Sequence, residues 1–430
     1  MFSSILNQFL SLMEATIYAI APFIGLMALT GPVGMKALML YIQMMLVINF
    51  IPPMLVITQN LTLAEMANFE NSLILQGLDE GSLEYLEALT SKSSELLGLG
   101  GMIATTIVPA LAMALVTGSG MAAVSAVLMG LLQTGDHVIG GDQLYGRSLR
   151  LMKEDLPRLG IATTLANPGD VEAIRAAIRP ETKLILVEAV SNPTLAVADI
   201  DGIAALCREH GLLLVVDNTF TTPRGFKPFD HGADIVIHSV TKLLAGHSDV
   251  MLGYVVAKDA ALNDRMRVFS VTTGMTPSPF DCWLAERGLL SFDLRFDRAE
   301  ATAARLADHI AQLPGVKRVL YPTRHDHPDH GRAETLLKGR GCNMVSFELD
   351  GGRDAANAFT RAAEGLSFAP TLGDVGTTLS HPASSSHRAL SPENRAELGL
   401  HEGFFRVSVG LEDPDTLCRI FEDAITAATS

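Results

Sequence analysis

From about residue 118 onward the chain reads as an α/β fold on a mainly parallel sheet, preceded by a hydrophobic all-α segment. Three observations predict this. Beyond residue 118, short β-rich runs alternate with helical stretches, the pattern of βαβ units. Before it, residues 1–117 hold only two basic residues, Lys36 and Lys92, against eight acids, and no arginine precedes Arg147. The 430 residues, 48% hydrophobic and 18% charged, can bury a large core, which excludes wholesale disorder. At about 150 residues per domain, the length suggests two or three domains. A net charge of −15 speaks against a basic nucleic-acid-binding surface. Cys207, Cys282, Cys342 and Cys418 are widely spaced, without a CxxC pair, which argues against a disulfide framework or zinc site and fits a reducing cytosol.

Taken in order, the N-terminal part has three uncharged stretches, Ala15–Met35, Ala37–Ala64 and Leu96–Gly135. Each exceeds the roughly 20 apolar residues of a bilayer-spanning helix, so membrane spans are expected over a buried soluble hairpin. No basic residue precedes Ala15, so a cleavable signal peptide is not expected. Between the second and third stretches, residues 65–95 read as an acidic, solvated helix. The methionines cluster before residue 130 and read as core or lipid-facing.

Residues 119–136 read as a helix ended by Gly135, followed by a strand at HVIGG (137–141). Further strands are expected at LILVEAV (184–190), LLLVVDN (212–218), DIVIHSV (234–240) and LGYVVA (252–257). Helices are expected at VEAIRAAI (171–178) and IDGIAALCREHG (200–211). A long helix at Asp293–Leu313 opens a mixed α+β region with strands near Met344–Leu349 and Phe404–Val409. The expected units are 1–117, 118–290 and 291–430.

In such sheets ligands bind at the carboxyl ends of the strands. Those ends carry Glu188 and Asn192, Asp217 and Thr219, and Ser239, Thr241 and Lys242. A lysine, an acid and hydroxyls at one edge suit pyridoxal 5′-phosphate, which needs an imine-forming lysine, an acid for its ring nitrogen and donors for its phosphate. The helix start at Ser119-Gly120-Met121 offers free backbone N–H groups to an anion. Each feature alone is ordinary, since a strand-end lysine is usually solvated and Ser-Gly is usually a cap.

In order along the chain, SGMAA (119–123), DQLYG (142–146), VEAVSNPTLAVADI (187–200), VVDNTFTTP (215–223), HSVTKLLAGHSDVMLG (238–253), SHPASSSHRAL (380–390) and FRVSVGLED (405–413) resemble the pyridoxal-phosphate enzymes of cysteine and methionine metabolism. That trans-sulfuration family includes cystathionine γ-synthase, cystathionine γ-lyase, methionine γ-lyase and the O-acyl-homoserine sulfhydrylases. The resemblance covers residues 118–430 and implies a fold-type I transferase, a large cofactor domain followed by a small C-terminal domain. It implies that Lys242 forms the imine and shuttles protons, and that Asp217 partners the pyridine nitrogen. It places Gly120, Met121, Ser239 and Thr241 around the phosphate, with Thr219 beside them, and Tyr145 on the cofactor ring. It assigns Asn192, Thr371 and Arg406 to the substrate, with Arg406 gripping the carboxylate. The reaction implied is γ-replacement or γ-elimination on a homoserine ester or sulfur amino acid. The implied partners are small amino-acid substrates, and the family is homo-oligomeric.

Two departures matter. Arg147 stands where many relatives have a small or uncharged residue; it either favours an anionic leaving group or points to solvent. The family's N-terminal Tyr-x-Arg-x-x-Asn-Pro arm, which reaches a neighbouring subunit's phosphate, has no counterpart ahead of SGMAA, so cofactor affinity and assembly are in question. The segment in its place, with APFIGLMALTGPVGMKA (21–37) and GMIATTIVPALAMALVTG (101–118), resembles the membrane region of conjugative-transfer proteins. Three readings stay open: a trans-sulfuration enzyme, membrane-tethered through its N-terminus with a cytoplasmic catalytic part; a fusion with an impaired enzyme; and a membrane interaction protein carrying an inert remnant. No metal site is expected: His325, His327 and His330 with Asp326 and Asp329 read as a surface loop, and His247 as part of a structural turn.

Overall fold

The structure, a computed structural model, describes residues 114–388 and 391–429. The expected spans Ala15–Met35 and Ala37–Ala64 and the acidic helix between the second and third stretches lie outside the described residues.

Strand β1 (Leu115–Thr117) leads through Ser119 into helix α1 (Gly120–Leu131), where the Ser119 hydroxyl accepts the Ala122 N–H and caps the helix. Five parallel strands follow: β2 (His137–Gly141), β3 (Ala162–Ala166), β4 (Thr182–Glu188), β5 (Leu213–Asp217) and β6 (Ile235–Ser239). With β7 (Gly253–Ala257) they form one seven-stranded sheet in the order β1-β7-β6-β5-β4-β2-β3, in which β7 runs antiparallel to both β6 and β1. Helices cover both faces, so central strands such as β4 and β5 are apolar on both sides, hence their continuous hydrophobic runs. One face packs Ile174, Ile200 and Ile203, from the helix Val171–Ala177 and the helix Ile200–His210, on Ile185 and Val216. The other packs α1 on Leu186, Val215 and Ile237.

The third apolar stretch corrects the expectation of a membrane span in its described part. From Leu115 it supplies β1, paired with Gly253–Val255, and then α1, whose Ala123, Ala126, Val127 and Leu128 are buried against the sheet. A helix apolar on nearly every side is here a buried protein helix. Among the described residues no helix is long and apolar enough to cross a membrane. The helix also stops at Leu131, because Leu132 turns extended; Gly135, at φ 94°, belongs to the following turn. Strand β3 was not foreseen: its ATTLA sequence sits at a partly exposed edge.

The helices Ala260–Thr272, Pro279–Leu289 and Phe292–Ile310 connect to a second sheet, and the last of them answers the expected long helix. That sheet has the order β10-β11-β12-β9-β8, from β8 (Val316–Leu320), β9 (Met344–Leu349), β10 (Ser367–Phe368), β11 (Thr378–Ser380) and β12 (Phe404–Ser408). Only β10 and β11 pair in parallel. Phe347 and Phe405 stack at 5.4 Å and meet Phe359 and Phe421 from the covering helices.

Candidate active site

The parallel strands end at one edge, where β4, β5 and β6 terminate in Glu188, Asp217 and Ser239. Register places Glu188 beside Asp217, with both side chains on the face covered by α1.

The Thr219 hydroxyl and N–H both donate to Asp217 Oδ1, at 2.6 and 2.9 Å, and the Ser239 N–H donates to that same hydroxyl at 2.9 Å. The backbone of β6 thus aims the Asp217 carboxylate through one threonine. Burial raises the pKa of Asp217, and the two Thr219 bonds oppose it.

At α1, a Cβ on Gly120 would lie 2.7 Å from Ser239 Cβ, so only glycine lets the helix start approach β6 so closely. The N–H groups of Gly120 and Met121 head the helix and cannot bond within it. This end therefore offers backbone donors beside a serine. The Thr241 hydroxyl donates to Leu252 C=O and accepts the Leu252 N–H, both at 3.0 Å. Its one proton is engaged in clasping the β7 approach.

Lys242 follows in the turn after β6, with Nζ 3.4 Å from Thr371 Oγ1. Burial, then Arg406, lowers its pKa, so more of the amine is neutral than in free lysine. Arg406 on β12 is buried; its terminal nitrogens donate to Asn192 Oδ1 at 2.9 Å and Thr371 C=O at 2.8 Å, while Nε has no partner. Burial brings its pKa down to about 10, which leaves it a cation at neutral pH. Tyr145 stands at the mouth, 42% exposed, its N–H 2.6 Å from Glu188 Oε1. Arg147 is exposed just beyond it.

Two residues were not assigned a role from sequence. Glu188 accepts N–H groups from both Tyr145 and Asn192; the signal was a carboxylate ending an apolar strand. Arg295 is buried and donates to Leu243, Leu244 and Gly288 carbonyls at 2.7–2.9 Å, gripping the turn after Lys242. Its signal was an arginine on the apolar stripe between Phe292 and Phe296. His327 is buried rather than on a surface loop, its ring Nδ1 accepting the Asp329 N–H, while Asp329 accepts the Val197 N–H beside the Asn192 loop. His247 closes its own turn onto Ala245 C=O at 2.8 Å.

The arrangement fits pyridoxal phosphate. Backbone donors and the Ser239 hydroxyl face a position for a phosphate across a glycine-only approach, a carboxylate is held by Thr219, and a partly buried amine lies near an arginine with a spare buried N–H. Comparison with known proteins agrees. The family model "Cys/Met metabolism PLP-dependent enzyme" matches residues 105–426. Cystathionine beta-lyase of Bacillus subtilis is 40% identical over 310 residues, 71% of this chain and 78% of that protein. O-succinylhomoserine sulfhydrylase of Pseudomonas aeruginosa is 40% identical over 304 residues, 71% and 75% of the two chains. The crystal structure of cystathionine gamma-lyase from Lactobacillus plantarum complexed with L-serine superposes with a TM-score of 0.70 at 34% identity, covering 73% of this chain and 82% of that one. The fold and site thus define a fold-type I, pyridoxal-phosphate-dependent lyase or transferase. The chain belongs to the Cys/Met metabolism PLP-dependent enzyme family. A second family model, the N-terminal region of TraG-like proteins, matches residues 1–138 and overlaps the first from residue 105.

Proposed function

We propose that the chain acts on a homoserine ester or a sulfur amino acid by γ-replacement or γ-elimination, with residues 118–290 carrying the cofactor and 291–430 completing the substrate site. One observation carries the reading: Thr371 accepts from Lys242 through its hydroxyl and from Arg406 through its carbonyl, so amine and guanidinium flank a single residue. That spacing suits an amino acid, its amino end toward Lys242 and its carboxylate on Arg406. When bound, the cofactor supplies an aldehyde for amines and a ring that withdraws electrons from the substrate Cα. Asp217, oriented by Thr219, keeps a negative charge at the ring nitrogen. Gly120 and Met121 N–H groups and Ser239 hold the phosphate, and Tyr145 covers the ring. Lys242 Nζ, partly desolvated, takes the Cα proton and returns it. Arg406 fixes the carboxylate, and Asn192 holds Arg406 in turn.

The purified protein with excess cofactor shows a visible absorption band that Lys242→Ala abolishes; a colourless parent protein defeats the reading. Product analysis with O-acyl-homoserine, cystathionine and methionine then separates replacement from elimination. Because no arginine precedes Arg147, the family's second phosphate contact is not supplied by the N-terminal arm. Cofactor affinity is therefore lower than in relatives by about tenfold or more, which a cofactor titration measures.

The TraG-like match and the apolar stretches before residue 65 support a second, independent role for the N-terminal segment, attachment to a membrane. Release of the protein from the membrane fraction by salt alone would contradict it.

A further inference from the structure

We infer that Glu188 is the positioning residue that fixes both walls of the substrate cleft, holding the ring of Tyr145 on one side and the Asn192–Arg406 pair on the other. The inference rests on the function proposed above. Glu188 ends β4, and its side chain bonds the backbones of two separate loops. Oε1 accepts the Tyr145 N–H at 2.6 Å and Oε2 accepts the Asn192 N–H at 3.2 Å. Tyr145 immediately precedes the helix Gly146–Arg150 and makes no side-chain cap of its own, so the Glu188 bond fixes where that helix begins. On the other side, Asn192 Oδ1 takes Arg406 Nη1 at 2.9 Å. A single carboxylate therefore sets the ring wall directly and the carboxylate clamp through one intermediate.

The choice of an acid has a chemical reason. Both bonds arrive from N–H donors, one at each oxygen, so the anchoring group must accept at both ends. Among side chains of this length, a carboxylate has an acceptor oxygen at each end. An amide would accept at its oxygen and present an N–H to the other backbone N–H. Position adds a cost that a purely structural acid would avoid. Glu188 lies in register with Asp217, and two neighbouring carboxylates in a partly buried cleft repel each other. Burial and Asp217 push its pKa well up, while the two N–H bonds pull it down. A position that tolerates this repulsion is one whose two bonds matter.

The test uses the full chain loaded with pyridoxal phosphate, in the parent, Glu188→Gln and Glu188→Asp. Three readouts are compared: the Lys242-dependent visible band, the dissociation constant of glycine (an amino acid with no side chain to eliminate), and KM against kcat for the best substrate. Melting temperature without cofactor is measured alongside. The expected result is a Gln variant with the band and melting temperature of the parent, glycine binding and KM about tenfold or more weaker, and a smaller fall in kcat. Glu188→Asp, which keeps acceptors at both oxygens, recovers part of the loss. Glycine binding and KM within twofold of the parent in Glu188→Gln overturns the inference. So does an equal loss of band, melting temperature and binding in both variants, which marks a merely structural residue. A parent protein without the band overturns the proposed function, and this inference with it.

Discussion

Arg406 has two of its three nitrogens engaged by the protein, on Asn192 Oδ1 and Thr371 C=O, and one buried nitrogen left over. A lysine there would bring one ammonium in place of the planar fork and could not serve both protein acceptors and a carboxylate. Arg406→Lys therefore raises KM about 10- to 100-fold with a smaller effect on kcat, read from steady-state kinetics. Thr219→Val removes the hydroxyl that aims Asp217 and also strands the Ser239 N–H. It weakens cofactor binding by about tenfold in a cofactor titration. Lys242 and Asp217 stand out in the sequence because they follow or end apolar strands within long motifs, and Arg406 because it lies in the FRVSVGLED motif. The bonding partners of Thr241 and Glu188 do not stand out in it: what each bonds depends on the residue opposite, Leu252 in one case and the Tyr145 and Asn192 backbones in the other. Strand order and register are not visible in a single sequence.

At the scale of elements, close approach at glycine decides how β7 and α1 meet. A Cβ on Gly253 would lie 2.4 Å from the Ser119 carbonyl oxygen, which is backbone and cannot swing away. Gly253→Ala thus forces the β7 edge from the helix start, costing about 1–3 kcal/mol and visible as a lowered melting temperature. Arg295 offers a second test. Its replacement by leucine strands three carbonyls around the turn after Lys242. Arg295→Leu therefore destabilises by about 2–5 kcal/mol in denaturant unfolding. The buried strands β2, β4, β5, β6 and β7 were readable because strands covered on both faces leave uninterrupted apolar runs. Strand β3 escaped because an exposed edge selects no such run, and β10, of two residues, is too short to leave a pattern.

For the molecule as a whole, stability responds to pH through buried histidines. His238 is fully buried, stacked on Tyr254 at 5.5 Å, with neither ring nitrogen bonded. Burial lowers its pKa from 6.5 to about 4. Between those values the unfolded chain binds a proton that the folded chain refuses, so stability falls as pH drops through the window and levels off below it. The contribution is at most about 3 kcal/mol. Burial lowers His137, His327, His381 and His387 in the same direction. His238→Phe keeps the ring stack and removes one proton from this balance. Its melting temperature should therefore drop less between pH 7 and pH 4.5 than the parent's, as calorimetry would show. Composition changes near residue 117, although the sheet already includes β1 at Leu115–Thr117; it cannot say whether an uncharged helix faces lipid or protein, and α1 shows that burial under a sheet produces the same sequence.

Ser346, in the middle of β9, donates its hydroxyl to the Pro193 carbonyl at 2.7 Å. One hydroxyl of the C-terminal sheet thereby latches the loop that carries Asn192. A change that shifts β9, even one confined to the phenylalanines behind it, is transmitted along that latch to the Asn192–Arg406 pair proposed to hold the substrate. Drift in the small sheet's packing would thus surface as altered substrate preference before it surfaced as loss of fold.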